Sequence, residues 1–297
     1  MKGIIDLFSS AKESGKYLLK QQNFSGSYQL TSNSSLKIGK KNPPVVVSIK
    51  MAVALEQVVD RKNITTKISV VDMSTDCAID SFRDILQNAQ LLTKIKIPLS
   101  IDRDRDGMPM GISNLSEMRK EWKKWKDRLP DITPDEEIQE QLILSYEDML
   151  TELKEKFDNF DKNFQYQFFL PECYRFTNRR DLQEFGSRKL YKSRLIDKLD
   201  LSYHLKKENF SDENHVVKIS LGTFSDIEKQ EEQLIASYKQ FLPDLSWKDY
   251  LFDVKVDYTF DSQTSDILHG KYYLIEQLHP DFVYTVEMEL TKEENFI

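Results

Sequence analysis

The chain has 297 residues, of which 39% are hydrophobic and 31% charged, so it can bury a sizeable core and remain soluble. Only nine glycines and nine prolines argue against a fibrous or disordered chain. The formal net charge of −7 argues against a general nucleic-acid binder, although a local basic face remains compatible with such binding. The two cysteines, Cys77 and Cys173, form neither a disulfide framework nor a CxxC pair for zinc or redox chemistry.

Residues 1–22 predict an N-terminal helix. Charges interrupt the apolar residues of this segment every few positions, which is not typical of a signal peptide. No stretch of the chain approaches the ~18 consecutive apolar residues of a membrane-spanning helix. We therefore predict a cytoplasmic protein without a membrane span, whose partner is another protein.

The next part of the chain alternates between strand and helix patterns. Apolar and polar residues alternate from 45 to 70 around a polar turn at 60–63, which predicts an antiparallel hairpin. Helical spacing follows at 76–91. Short alternating stretches at 95–101 and 108–112 predict two further strands.

Two amphipathic segments between residues 114 and 160 predict a helical hairpin. The first contains Trp122 and Trp125 with basic residues between them. Such a pattern can stack on single-stranded nucleic acid or lie at a membrane surface, but its helical spacing favours burial in the core. The second segment begins with Thr133 as the predicted cap and Pro134 at the first helical position.

The C-terminal part repeats this style. After a predicted strand at 164–170, alternation recurs at 201–221 and 252–290, with a helix predicted at 226–241. We predict an α+β fold of antiparallel sheets with packed helices and the helical hairpin near residues 114–160. Because both halves follow the order hairpin, helix, hairpin, they are candidates for two related subdomains.

Domain boundaries are predicted from a shift in composition. Residues 1–174 form an N-terminal α+β domain that includes the helical hairpin. Residues 175–200 are rich in Lys and Arg and are assigned as a basic linker. Residues 201–297 form a C-terminal antiparallel α+β subdomain.

The stretch SIDRDRDGM contains a candidate metal site. Asp102, Asp104 and Asp106, followed by Gly107, match the start of an EF-hand calcium loop. Position 12 of such a loop would be Ser113, which cannot supply the bidentate carboxylate, and both flanks predict strands instead of helices. Asp-Gly is equally typical of a hairpin turn. We predict a hairpin tip, retain calcium as the alternative, and expect no other cofactor.

The basic linker contains a second candidate site. Its basic residues can form a face for a phosphate group or an acidic partner. A solvated linker or an amphipathic helix is the simpler interpretation of the same residues. The candidate partner-binding residues are Arg179, Arg180, Arg188, Lys189, Lys192 and Arg194.

Catalytic motifs are absent from the sequence. It contains no P-loop, no G-x-G-x-x-G and no G-x-S-x-G, and its four histidines do not follow the spacing of metal ligands. Glu276 near His279 is a polar pair without further supporting residues. These absences favour a role other than catalysis.

The leading functional prediction is a non-enzymatic protein-interaction protein, namely an adaptor, a chaperone or a structural component of a larger assembly. It is based on the many aromatic residues in the predicted strands, since aromatic residues are enriched at recognition surfaces. The alternative is a small-molecule or lipid-like ligand-binding protein with an apolar cavity between sheet and helices. A calcium-dependent module and a hydrolase with a site built from distant residues are further alternatives.

Overall fold

The structure is a computed structural model that describes residues 22–40, 42–60, 63–80, 83, 86, 90–91, 97–104, 107, 109–155, 168–171, 184–196, 199–224, 238–240 and 245–293. Of these residues, 56% are in strands and 23% are helical. The predicted N-terminal helix and most of the helix predicted at 226–241 lie outside the described residues.

One antiparallel sheet contains all eleven strands of the described residues. In chain order they are β1 (Phe24–Ile38), β2 (Val45–Val59), β3 (Ile64–Cys77), β4 (Leu99–Arg103), β5 (Pro109–Ile112), β6 (Glu184–Lys192), β7 (Asp200–Glu213), β8 (Val216–Phe224), β9 (Leu251–Asp261), β10 (Ile267–His279) and β11 (Phe282–Lys292). The order across the sheet is β5-β4-β3-β2-β1-β11-β10-β9-β8-β7-β6. The first and last strands in chain order, β1 and β11, therefore lie side by side in the middle of the sheet.

The predicted α+β class is wrong. The prediction divided the strands between separate sheets and allowed two related subdomains, whereas the structure joins all of them in one sheet. The junction is the pairing of β1 with β11, from Tyr28 opposite Lys292 to Ile38 opposite Phe282. The sequence analysis does not predict β1, because FSGSYQLTSNSSLKI contains few apolar residues. The domain division around 175–200 stays a prediction.

The hairpin predicted at residues 45–70 is confirmed as β2 and β3, which pair from Val59 opposite Ile64 to Val47 opposite Cys77. The described residues of the helix predicted at 76–91 are helical from residue 80 onward. Strands β4, β5, β9, β10 and β11 also lie where the alternating patterns predict strands. Period-two alternation is therefore a reliable guide along most of this sheet.

Two helices pack against each other after β5. Helix α1 (Leu115–Lys126) is followed by the short α2 (Leu129–Ile132) and by α3 (Glu136–Glu155). The ring of Trp122 in α1 stacks on Tyr146 in α3, with 4.3 Å between the ring centroids. The predicted burial of Trp122 is confirmed, since 3% of its surface is exposed. Trp125 is half-buried, and the Arg128 guanidinium lies 4.8 Å from its ring centroid.

The start of α3 differs from the prediction. Asp135 caps this helix, because its Oδ1 accepts hydrogen bonds from the amides of Glu137 at 3.0 Å and Ile138 at 3.2 Å. Thr133, the predicted cap, instead accepts from the Asp135 amide at 3.4 Å. The strand predicted at 164–170 is also wrong for Phe168 and Phe169, which are helical. No helix within the described part of the chain is long and apolar enough to cross a bilayer.

The two faces of the sheet differ in polarity. Side chains alternate between the faces along each strand, and residues directly opposite each other on neighbouring strands share a face. Leu30 on β1 lies between Met51 on β2 and Leu290 on β11, and all three are buried in one continuous core. We call this the inner face. The opposite, outer face carries polar residues such as Lys50 and Glu289, which are exposed.

The core extends from the inner face to the helices. Trp122 and Tyr146 belong to the same continuous core as the inner-face residues. The ring of Phe168 lies over Gly270 of β10, where a Cβ atom would come within 2.8 Å of that ring. Phe168 also packs against Tyr258 and Tyr272, with ring centroids 5.7 Å and 6.2 Å away. The absence of a side chain at Gly270 therefore allows an aromatic ring to lie close to the sheet.

Candidate functional site

A row of five inner-face residues crosses the five central strands near one end of the sheet. Cross-strand pairing places Val45 of β2 next to Leu36 of β1, and Leu36 next to Tyr284 of β11. The row continues through Glu276 of β10 to Phe252 of β9. Residues opposite each other in neighbouring antiparallel strands have adjacent side chains. An apolar segment, a phenol and a carboxylate therefore follow one another along this row.

The Glu276 carboxylate is fully buried and accepts four hydrogen bonds. Its Oε2 accepts from the Tyr191 hydroxyl at 2.7 Å and from the Arg194 backbone amide at 2.9 Å. Its Oε1 accepts from the Tyr250 hydroxyl at 3.1 Å and from the Ser193 hydroxyl. A carboxylate has about four lone-pair positions, so these donors satisfy it. We call Glu276 and its four donors the carboxylate cluster.

Short segments beside the sheet hold these donors in place. Ser193 follows β6 in a turn, where its hydroxyl oxygen accepts from the amides of Leu195 at 3.2 Å and Ile196 at 2.7 Å. Tyr250 follows the 3-10 helix Trp247–Asp249, whose cap, Ser246, accepts from the Lys248 amide at 3.3 Å. The carboxylate cluster thereby ties both segments to β10 close to its C-terminal end.

Burial sets the proton affinity of the surrounding phenols. It raises the pKa of Tyr191 and of Tyr250 far above the ordinary value, and the negative charge of Glu276 adds to the effect in both cases. Both hydroxyls therefore stay protonated at neutral pH and act as donors. The four donors satisfy both oxygens of Glu276. The carboxylate cluster therefore holds the segments that carry Ser193 and Tyr250 against β10.

Tyr284 lies between the carboxylate cluster and the apolar end of the row. Burial raises its pKa, and the positive charge of Arg194 partly opposes this increase. The Arg194 side chain is exposed, while its backbone amide is fixed to Glu276. A guanidinium is therefore anchored by its own main chain close to a half-buried phenol.

The other end of the row is apolar and only partly covered. Leu36 and Val45, together with Val47 of the next inner-face row, are half-buried and lie outside the continuous core of the described residues. By contrast, Phe252 at the far end of the row is 5% exposed and Leu290 is fully buried. The inner face is therefore sealed along most of the sheet but open to contact near the β1–β2 turn.

The predicted calcium ligands lie at the link between β4 and β5. Asp102 is the fourth residue of β4, and its Oδ1 accepts a hydrogen bond from the Thr65 hydroxyl at 2.9 Å. The Gly107 amide donates to the Asp104 carbonyl at 3.0 Å, and Gly107 has a φ of +86°. Asp106 lies outside the described residues. In the part of the chain that is described, no group of three or more His, Cys, Asp or Glu side chains is placed to hold a metal ion.

The predicted basic site is described only in part. Arg179 and Arg180 lie outside the described residues, and Arg188 and Lys189 belong to β6 without described side chains. Lys192, the last residue of β6, and Arg194 are both exposed. Of this set, the structure therefore connects only Arg194 with the row.

The two residues of the polar pair, Glu276 and His279, have different hydrogen-bond partners. Glu276 belongs to the carboxylate cluster, whereas His279 Nδ1 accepts from the Asp281 amide at 3.1 Å. The position of Glu276 within β10 indicates that it is buried, although the sequence analysis considered it only as a neighbour of His279. In β10 it occupies the inner-face phase of Tyr272, Leu274 and Leu278, where an acidic residue is unexpected.

Comparison with known proteins does not assign the chain to a family. No protein-family model matches it, and no curated protein sequence matches it. A solved structure described as "Lipid-protein interactions in lipovitellin" aligns over 93% of this chain and 25% of its own, with 9% identity and a TM-score of 0.43. The chain thus spans about a quarter of the length of that protein. Similarity at this level assigns neither family nor function.

Proposed function

We propose that this protein binds an amphipathic, lipid-like molecule with an acidic headgroup on the inner face of its sheet. The single observation that carries the proposal is the partly covered apolar surface of Leu36, Val45 and Val47 beside Arg194 and Tyr284. When a hydrocarbon chain covers the accessible part of these side chains, the free energy of binding becomes more favourable by about 25 cal/mol per Å² of apolar surface removed from water.

The polar end of the row suits a headgroup. Arg194 can form a charge-assisted hydrogen bond with a carboxylate or phosphate, and the protonated Tyr284 hydroxyl can donate a second one. The carboxylate cluster would keep the Arg194 main chain in place while its side chain binds the anion. An acidic headgroup is therefore favoured over a neutral or cationic one. The adaptor role stays a prediction, because none of the described residues forms a comparable feature for a protein partner.

The apolar part of the proposal predicts a difference between two adjacent residues. Val47→Asp places a charge on the inner face, and we expect it to weaken binding of the fluorescent fatty acid cis-parinaric acid at least tenfold. Val46→Asp makes the same change on the outer face, where Val46 is 40% exposed, and should leave the affinity within twofold. Fluorescence titration without vesicles measures both. Equal losses in the two variants, or no binding by the wild type, would contradict the proposal.

The polar part predicts selectivity for charge. Arg194→Ala retains the backbone bond to Glu276 and removes only the guanidinium, so we expect about tenfold weaker binding of cis-parinaric acid. Binding of its uncharged methyl ester should change less than twofold. Lys192→Ala removes an exposed positive charge two residues away and is the matched control, with an unchanged affinity for both probes. A similar loss for acid and ester would show that Arg194 does not bind the headgroup.

A further inference from the structure

Three segments meet at one end of the sheet, which we call the turn end. Its described residues are 36–40, 42–46, 246–251 and 279–283, because β1, β10 and their neighbours turn there. The Gly39 amide donates to the Asp281 carbonyl at 2.8 Å, which ties the β1–β2 turn to the β10–β11 turn. The Asn42 side-chain amide donates to the Ile38 carbonyl at 3.2 Å. Hydrogen bonds therefore stabilise the β1–β2 turn internally and connect it to the β10–β11 turn.

Several large hydrophobic side chains are exposed at the turn end. Seven large hydrophobic residues are exposed among the described residues, and three of them are here: Ile38 at 48%, Val46 at 40% and Leu251 at 44%. The remaining four lie near the other end of β2, on β3, on the edge strand β5 and in α3: Val58, Val71, Met110 and Leu144. Exposed apolar residues concentrated at one extremity mark an interaction site.

Its charge is opposite in sign to that of the chain. The described segments of the turn end contain three lysines, Lys37, Lys40 and Lys248, against the two aspartates Asp249 and Asp281, whereas the whole chain has a formal net charge of −7. Asp281 is buried and pairs with Lys37 Nζ at 3.4 Å, so this pair contributes no net charge. Lys40 and Lys248 are exposed. Basic residues around exposed apolar ones favour an anionic lipid surface.

We propose that the turn end docks on the surface of an anionic lipid membrane. Ile38, Val46 and Leu251 enter the region between headgroups and acyl chains, while the lysines contact the anionic headgroups. A protein partner would require an acidic surface with a matching apolar groove, whereas a lipid surface supplies negative charge and hydrocarbon without a specific shape. Ile38 has the inner-face phase of Leu36, whereas Val46 and Leu251 lie on the outer face, so Val46→Asp tests docking separately from ligand binding by the inner face.

Sedimentation with vesicles of phosphatidylcholine, with and without 30% phosphatidylserine, tests this inference. We expect the wild type to bind the anionic vesicles at 0.1 M salt and to lose most of this binding at 0.5 M salt. Ile38→Asp and Val46→Asp should each weaken the partitioning at least tenfold. Lys40→Glu should weaken the partitioning about tenfold, because this substitution makes the charge of the docking surface more negative by two units.

Matched controls separate docking from general effects. Val58 is 49% exposed near the opposite end of β2, so Val58→Asp makes the same change as Val46→Asp away from the turn end, and it should keep binding within twofold. Lys218→Glu on β8 is the corresponding control for Lys40→Glu. Equal binding to neutral and anionic vesicles, or equal losses in variants and controls, would overturn the inference. Loss of vesicle binding with retained cis-parinaric acid binding in Val46→Asp separates this inference from the proposed function.

Discussion

We expect Glu276→Ala to lower the free energy of unfolding by about 4 kcal/mol, one of the two largest effects for a single substitution in this protein. The change removes the acceptor of all four donors in the carboxylate cluster. A buried donor left without a partner costs about 1–3 kcal/mol, and water that enters the vacated space recovers part of this. Urea denaturation followed by circular dichroism measures the change.

Two further variants make this prediction specific. Glu276→Gln retains one acceptor oxygen of the same shape, and the expected loss is about 2 kcal/mol. Glu287→Ala removes an exposed glutamate from the outer face of neighbouring β11 and should change stability by less than about 0.5 kcal/mol. A loss below about 1 kcal/mol for Glu276→Ala would mean that the carboxylate cluster does not hold the segments after β6 and before β9 against the sheet.

Trp122→Ala is expected to destabilise the protein by about 4 kcal/mol, the other large effect. The side chain is 3% exposed and stacks on Tyr146, so its removal leaves a cavity between α1 and α3 within the continuous core. Thermal or urea unfolding provides the measurement, and Trp122→Phe should restore more than half of the lost stability.

Trp125 provides the internal control for this substitution. It lies three residues along the same helix but is half-buried, with the Arg128 guanidinium over its ring. Trp125→Ala should therefore cost about 1 kcal/mol, mainly through the lost cation–π contact and partial burial. Similar losses at both positions would imply that α1 is loosely held and that Trp122 contributes no special packing.

Most strands of this fold could be predicted from the sequence, but the sheet that they form could not. Period-two alternation identified β2, β3, β9, β10 and β11, because each of these strands has one face in the core and one in solvent. The sequence analysis did not predict β1, because the middle of this strand is polar. Ser32 and Ser34 even occupy inner-face positions. Its position is determined by pairing with two neighbours, an interaction between distant segments that local alternation does not record.

The candidate site was less accessible to sequence reasoning. Glu276 appears beside His279 in the sequence, but its partners Tyr191 and Tyr250 lie 85 and 26 residues away. Only the inner-face phase of β10 could have identified Glu276 as a buried carboxylate. The apolar end of the row was equally hidden, since Val45 and Val47 have the pattern of any core strand, and only the structure distinguishes covered from uncovered positions.

The central position of β1 and β11 has a consequence for how the chain folds. Tyr28 pairs with Lys292, so the two strands in the middle of the sheet are separated by nearly the whole sequence. Closing so long a loop is entropically unfavourable, and folds dominated by such distant contacts form slowly. During synthesis, β1 would wait with one edge unpaired until β11 leaves the ribosome, exposed to pairing with another chain. The five serines and the one asparagine of β1 make it a polar strand, which would protect the nascent chain against aggregation during that interval.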